Sequence, residues 1–187
     1  MSFTVKALTW HPHIEPVRIE DATPEQLAAM QVTPSNTKVS PYVRTLVHDP
    51  ESYVARTKLY NQIMYGKGGL ENVYRELGAL VASAVNGCNY CASVHARRHI
   101  QLAGGSDIVR ALYTTGLDAD LDPKTRVIVD FCRVLSQTPS AATPQQAQAL
   151  RDHGFSKDEI ADLIQSAAIF AWANRLMHTL GHSTRQD

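Results

Sequence analysis

The chain has 187 residues, room for one ordinary globular domain or two small helical halves sharing a core, and it is read as a single domain over residues 1–187. Eighteen Lys and Arg balance eighteen Asp and Glu, and no run of like charge marks a nucleic-acid or membrane footprint, so the expected partner is a small molecule or a second copy of the chain. Three cysteines are too few for a secreted disulfide framework, the N-terminal "MSFTVKALTWHPHIEPVRIE" lacks the apolar core of a signal peptide, and nothing approaches the ~18 apolar residues of a membrane span; a cytoplasmic protein is expected.

Residues 1–40, rich in Pro, Thr and Val, read as an extended N-terminal arm carrying one short helix from Pro24, where Thr23 is a candidate N-cap and Pro occupies the first helical position. From Asp49 onward the pattern is helical. "DPESYVARTKLYNQIMYG" opens on an Asp-Pro cap and closes on Gly; "LENVYRELGALVASAVNG" gathers Leu77, Leu80, Val81, Ala84 and Val85 on one face and ends in Asn-Gly. A third helix runs from about Cys88 to "LAGG", followed by "SDIVRALYTTG", "DPKTRVIVDFCRVLSQTP", "TPQQAQALRDHG" and "SKDEIADLIQSAAIFAWANRLMHTLG". No alternating strand pattern stands out, so the expected fold is all-α: a helical bundle with short connections.

The chemistry concentrates in "VNGCNYCASVHARRHI", which contains Cys88, Cys91, His95 and His99. Offsets of three, seven and eleven from Cys88 put all four on one helix face, but that stripe is ~16 Å long at a rise of about 1.5 Å per residue. Zinc holds each ligand at about 2.0–2.3 Å, so one ion cannot take all four. A smaller zinc site of Cys88, Cys91 and His95 with a fourth ligand from Cys132 or His178 stays open, as does plain burial of two thiols and an imidazole. Redox chemistry accounts for the pattern best. A C-x-x-C pair one turn apart closes a disulfide with little backbone movement, and amides at a helix N-terminus stabilise a thiolate. Cys91 and His95, at i and i+4, sit one above the other, which marks Cys91 as the activated nucleophile and Cys88 as its disulfide partner. If Asn86-Gly87 turns the chain into a helical hairpin, Glu76 and His95 come to similar heights, within ~3 Å along the axes, and Glu76 can orient the ring. Glu71 and Arg75 read more readily as solvated surface.

The spacing of Glu76, Cys88, Cys91 and His95 resembles the active-site pattern of the alkylhydroperoxidase AhpD family, within the carboxymuconolactone decarboxylase superfamily, and looks most similar to its uncharacterised peroxidase-related branch. The resemblance extends over roughly residues 40–181. It implies an AhpD-like helical bundle, a homo-oligomer, and reduction of a small-molecule hydroperoxide without a cofactor, haem and flavin included. Cys91 would be the peroxidatic thiol, Cys88 the resolving one, Glu76 and His95 a proton relay, and an external dithiol or thiol the reductant. One departure stands out: Tyr90 occupies the position where well-known family members carry a His, and a phenol with a pKa of about 10 is a poor base near neutrality. His99 is expected to be structural or at an entrance, His178 and His182 a surface pair, Trp172, Phe170 and Leu176 core or subunit interface, and Asn174 with Arg175 structural. Two other functions compete: a non-redox decarboxylase of the superfamily, which has no need of a C-x-x-C pair, and a zinc-binding or interaction module.

Overall fold

The helix boundaries lie where the sequence supplies caps. Asp49, Asp122 and Ser156 each accept the backbone N–H three residues on, and Pro24, Pro41, Pro50, Pro123 and Pro144 open helices whose first amides need no intrahelical partner. In the computed structural model, which describes residues 3–33 and 38–185, the described residues form nine α-helices: α1 Pro24–Met30, α2 Pro41–Leu46, α3 Pro50–Tyr65, α4 Asn72–Val85, α5 Asn89–Ala103, α6 Asp107–Thr115, α7 Pro123–Leu135, α8 Pro144–Asp152 and α9 Lys157–Leu180. The all-α expectation holds. The short helix predicted from Pro24 is present, with Thr23 and Gln26 closing a reciprocal capping box.

Helix α4 is the axis of the bundle. Every residue from Arg75 to Ser83 is buried, which a helix achieves only when neighbours cover it on all sides; α5, α9 and α7 supply that cover. Leu77, Leu80 and Val81 are each at most 1% exposed, and full burial of such side chains is worth about 1.5–3 kcal/mol apiece. Gly78 is what lets α9 come close: a Cβ there would stand 3.0 Å from Ser166 Oγ and 3.1 Å from Leu163 Cδ1.

Arg75 departs from the surface role read for it. Its side chain is 3% exposed, donating to the carbonyls of Leu70, Ile63 and Gly68 at 2.7, 2.6 and 2.7 Å and to Asp162 Oδ2 at 2.8 Å. The guanidinium thus ties the α3–α4 loop to α9, and its five donors explain why a charge is tolerated there. Glu71 is exposed, as expected.

Two strands escaped the sequence reading. β1 Leu8–Pro12 pairs antiparallel with β2 Gly181–Arg185, with Trp10 opposite Ser183 and Pro12 opposite Gly181. β2 carries no apolar–polar alternation and that of β1, Leu8-Thr9-Trp10-His11-Pro12, is only five residues long; a two-stranded ribbon buries little by itself, and Trp10 supplies the anchor, 6% exposed and donating Nε1–H to the Met177 carbonyl at 3.3 Å. The arm is therefore docked over residues 3–12: Ser93 on α5 donates to the Lys6 carbonyl at 2.6 Å, and Phe3 stacks on Tyr113. Helix α2 also begins before Asp49. Residues 1–2 and 34–37 of the expected arm lie outside the described residues.

On the outer side, Leu59 of α3 and Ile164 and Trp172 of α9 remain 56%, 36% and 45% exposed; Leu59 and Trp172, with Arg56 and Ile169, line a groove of about 540 Å³. Among the described residues no helix is long and apolar enough to cross a membrane.

Gly78→Val should lower stability by about 1–3 kcal/mol through overpacking against α9, read as a fall in the thermal midpoint. Gly105→Ala, whose Cβ meets nothing within 4 Å, should stay within about 0.5 kcal/mol.

Candidate active site

The α4–α5 hairpin is made by Asn86, which caps α4, and Gly87, whose φ of 70° lies in the left-handed region. The chain then enters α5 with Cys88 as its N-cap residue. This turn brings Glu76 opposite His95, the two predicted partners, with His95 Nδ1 2.5 Å from Glu76 Oε2 and both residues 2% exposed. Arg98 Nη1 stands 3.6 Å from the other carboxylate oxygen. A bond to Nδ1 sets the ring's orientation and leaves Nε2 as the remaining position for exchange with a neighbour. Phe170 holds the imidazole edge-on at 4.2 Å between ring centres.

The stripe of Cys88, Cys91, His95 and His99 faces inward, each residue at most 7% exposed. Both cysteines are free thiols, and they are not equivalent. The S–H of Cys91 donates to Cys88, and the amides of Cys91 and Tyr90 and the side chain of Asn174 add to it; together they push the Cys88 thiol below its ordinary range despite burial. Cys91 is pushed well above, because its proton is held in the bond to Cys88, because it is buried, and because a charge on Cys88 repels a second one. The contacts at Cys88 thus favour its thiolate and those at Cys91 oppose one, a difference that the i, i+4 spacing of Cys91 and His95 does not convey. The reason is local: the N-cap sulfur faces the amides that open α5, and the sulfur one turn in does not.

His99 is buried: its Nδ1 bonds the Val73 carbonyl at 3.0 Å, its Nε2 has no partner, and burial pushes its pKa down. Cys132 lies across α4 beside Gly78, fully buried, with a thiol pushed far up by burial. Among the described residues no group of three or more His, Cys, Asp and Glu is placed to hold a metal ion, so the zinc alternative finds no ligand set there. His178 and His182 are exposed, yet they do not pair with each other: His182 Nδ1 meets His13 Nε2 at 3.0 Å.

Each thiol borders its own cavity. Cys91 and His95 line one of about 110 Å³, with Tyr42, Arg56, Tyr60 and Phe170 among its walls. Cys88 borders another of about 240 Å³ beneath Trp10, His13, His178 and His182. Tyr90 and Met177 stand between the two.

Sequence reasoning missed Asn174, Tyr42, Arg56 and Tyr60. Asn174, taken as structural, is 0% exposed, donates to Ser83 Oγ, accepts from Asn86 and reaches both thiols. An amide inside the apolar run of α9 was a signal for it. Tyr42, Arg56 and Tyr60 come from α2 and α3, and nothing in their spacing points to a shared cavity.

An all-helical bundle of this kind, with a buried Glu–His pair on its central hairpin beside a C-x-x-C at a helix N-terminus, has the fold of AhpD-like proteins. The carboxymuconolactone decarboxylase family model matches residues 50–112, about a third of the chain. The fold is similar to that of an uncharacterized peroxidase-related protein from Silicibacter sp. TM1040, at 24% identity, TM-score 0.73, covering 92% of this chain and 94% of that one. A second, from Ralstonia eutropha JMP134, described as an alkylhydroperoxidase AhpD core, gives 23% identity and TM-score 0.76 over 90% of each chain. A debrominase solved in complex with 2,3,4-tribromopyrrole gives 16% identity and TM-score 0.69, covering 90% of this chain and 89% of that one. No curated protein matches the chain.

Removing the Cys91 S–H removes the largest stabiliser of the Cys88 thiolate, so Cys91→Ala should move the alkylation midpoint of Cys88 to higher pH. The measurement is the alkylation rate of Cys88 against pH, mapped by peptide mass.

Proposed function

We propose that this protein is a thiol-dependent peroxidase or disulfide oxidoreductase, in which Cys91 attacks a small-molecule hydroperoxide, Cys88 resolves the product, and Glu76 with His95 relays protons. The observation that carries the reading is the Glu76–His95 pair, 2.5 Å apart and buried, whose His95 lines the Cys91 cavity next to a thiol pair in which Cys91 donates to Cys88.

The high pKa of Cys91 fits this role once the bond between the sulfurs is taken into account. The Cys88 thiolate is the immediate acceptor of the Cys91 proton, so Cys91 becomes a thiolate as it attacks, and a thiolate of higher pKa is the stronger nucleophile. Cys91 sulfur forms a bond to the distal peroxide oxygen, the O–O bond breaks, and the alkoxide takes a proton from the relay to leave as the alcohol. Cys91 is now a sulfenic acid. Cys88 gives up the proton it received, attacks the Cys91 sulfur and displaces water, closing a disulfide. Two electrons have passed from the dithiol to the hydroperoxide. An external dithiol or thiol returns them by attack on Cys88 from its own cavity. No cofactor has a step in this sequence. A thiol pair that must be returned to its reduced form after each turnover suits the cytoplasm. A non-redox decarboxylase would leave the inequality of Cys88 and Cys91 without a use.

We also propose a homo-oligomer, with the exposed stripe of Leu59, Ile164 and Trp172 covered by a second copy. A sedimentation mass near the 20.6 kDa of one chain at micromolar concentration would refute it.

One equivalent of hydroperoxide should remove two thiols per chain, with a Cys88–Cys91 disulfide in the peptide map and Cys132 still reduced. Cys91→Ser should abolish turnover, while Cys88→Ser should permit one oxidation and stall at a sulfenic or overoxidised Cys91. Trapping the sulfenic acid on Cys88 in Cys91→Ser, at full single-turnover rate, reverses the two roles; no loss of thiols in the native protein removes the proposal.

A further inference from the structure

The cavity at Cys91 holds two hydrogen-bond donors with nothing to bond. Tyr42 Oη and Arg56 Nε are both buried and without a partner, and both residues line the cavity beside Cys91 and His95. Leaving such a group unpaired costs about 1–3 kcal/mol, more for a charged one, so a partner that is not part of the chain is indicated.

The charge points the same way. The Arg56 guanidinium carbon stands over the Tyr60 ring, 4.7 Å from its centre, and among the described residues no carboxylate pairs with it. Its field is felt at Tyr42, Tyr60 and Cys91. The contrast with Arg75 is instructive, since that guanidinium is satisfied by three carbonyls and Asp162. Arg56 also edges the groove between α3 and α9, so it stands between the thiol cavity and the surface. The cavity itself, about 110 Å³, is smaller than the ~150 Å³ that accommodates benzene, and therefore admits only a small reacting group.

We infer that Arg56 and Tyr42 form an anion subsite for the substrate of Cys91, and that the preferred substrate is a small organic molecule bearing a carboxylate, held by these two donors with its reacting atom at the Cys91 sulfur. This deepens the proposed function and rests on its placement of substrate at Cys91, but the binding chemistry is separable from peroxide reduction. Arg56 supplies charge and a directed N–H, Tyr42 supplies an O–H whose proton burial holds firmly in place, and Tyr60, Tyr90 and Phe170 exclude water from the contact.

Iodoacetate and iodoacetamide test it, being the same size and differing in one charge. In each, thiolate displaces iodide, and no redox step is involved. In a Cys88→Ser protein, alkylation mapped to Cys91 should saturate with iodoacetate and run at least tenfold faster than with iodoacetamide. Arg56→Gln should abolish that preference, Arg56→Lys should retain part of it, and Tyr42→Phe should reduce it. In the native protein, alkylation at Cys88, which faces the other cavity, should show no dependence on Arg56. Equal or faster reaction of Cys91 with iodoacetamide, or a preference that survives Arg56→Gln, overturns the subsite. A preference for iodoacetate in a protein that does not consume hydroperoxide upholds the subsite and removes peroxide reduction as the reaction it serves.

Discussion

A carboxylate buried in the middle of a bundle must be met by donors, and the position of Glu76 imposes that condition on everything around it. Helix α4 is covered on all sides, so solvent cannot serve. His95 and Arg98 of α5 do so, at 2.5 and 3.6 Å. Those contacts admit only one register of α5 against α4, because a slip of one residue along a helix turns a side chain by about 100°. Once the register is set, Cys88 falls at the N-cap and Cys91 one turn inside. Removing one member of such a buried pair costs about 3–5 kcal/mol, so structure and site share a single determinant.

A second set of polar contacts holds α9 in place. Asp162 takes Arg75 and the Leu70 amide near one end of α9, and Asn174 takes Ser83 and Asn86 nearer the other. The long helix is thereby pinned to α4 at two heights, and between them Phe170 meets the His95 ring. Asn174 does double duty: the amide that fixes the helix also reaches the thiol pair. The N-terminal strand completes the arrangement, since Trp10 closes over Met177 and walls the cavity at Cys88.

The asymmetry of the two thiols follows from this packing. One sulfur faces amide dipoles and accepts a proton bond; the other is enclosed and donates it. Each opens to a different cavity with different chemistry, histidines and tryptophan on the Cys88 side, tyrosines and an unpaired guanidinium on the Cys91 side. A pair of sulfurs that border two separate cavities can meet two different molecules without displacing either.

Much of this was legible in one dimension. Caps, prolines and glycines delimited the helices from Pro50 to Leu180, because those signals are local and act through backbone groups within a few residues. The pairing of Glu76 with His95 was legible too, since a tight turn between two helices converts sequence distance directly into height. The strand pair of residues 8–12 and 181–185 was not, because its stability comes from Trp10 packing on a helix 167 residues away, and β1 alternates over only five residues while β2 has no pattern of its own. Arg75 looked like surface because a charge in isolation reads as solvated; only the three carbonyls and Asp162 converging on it make burial affordable. The order of the thiol pKa values and the company of Tyr42, Arg56 and Tyr60 around Cys91 were likewise decided by tertiary structure, since electrostatic environment is a sum over neighbours in space, and those neighbours come from α2, α3, α5 and α9.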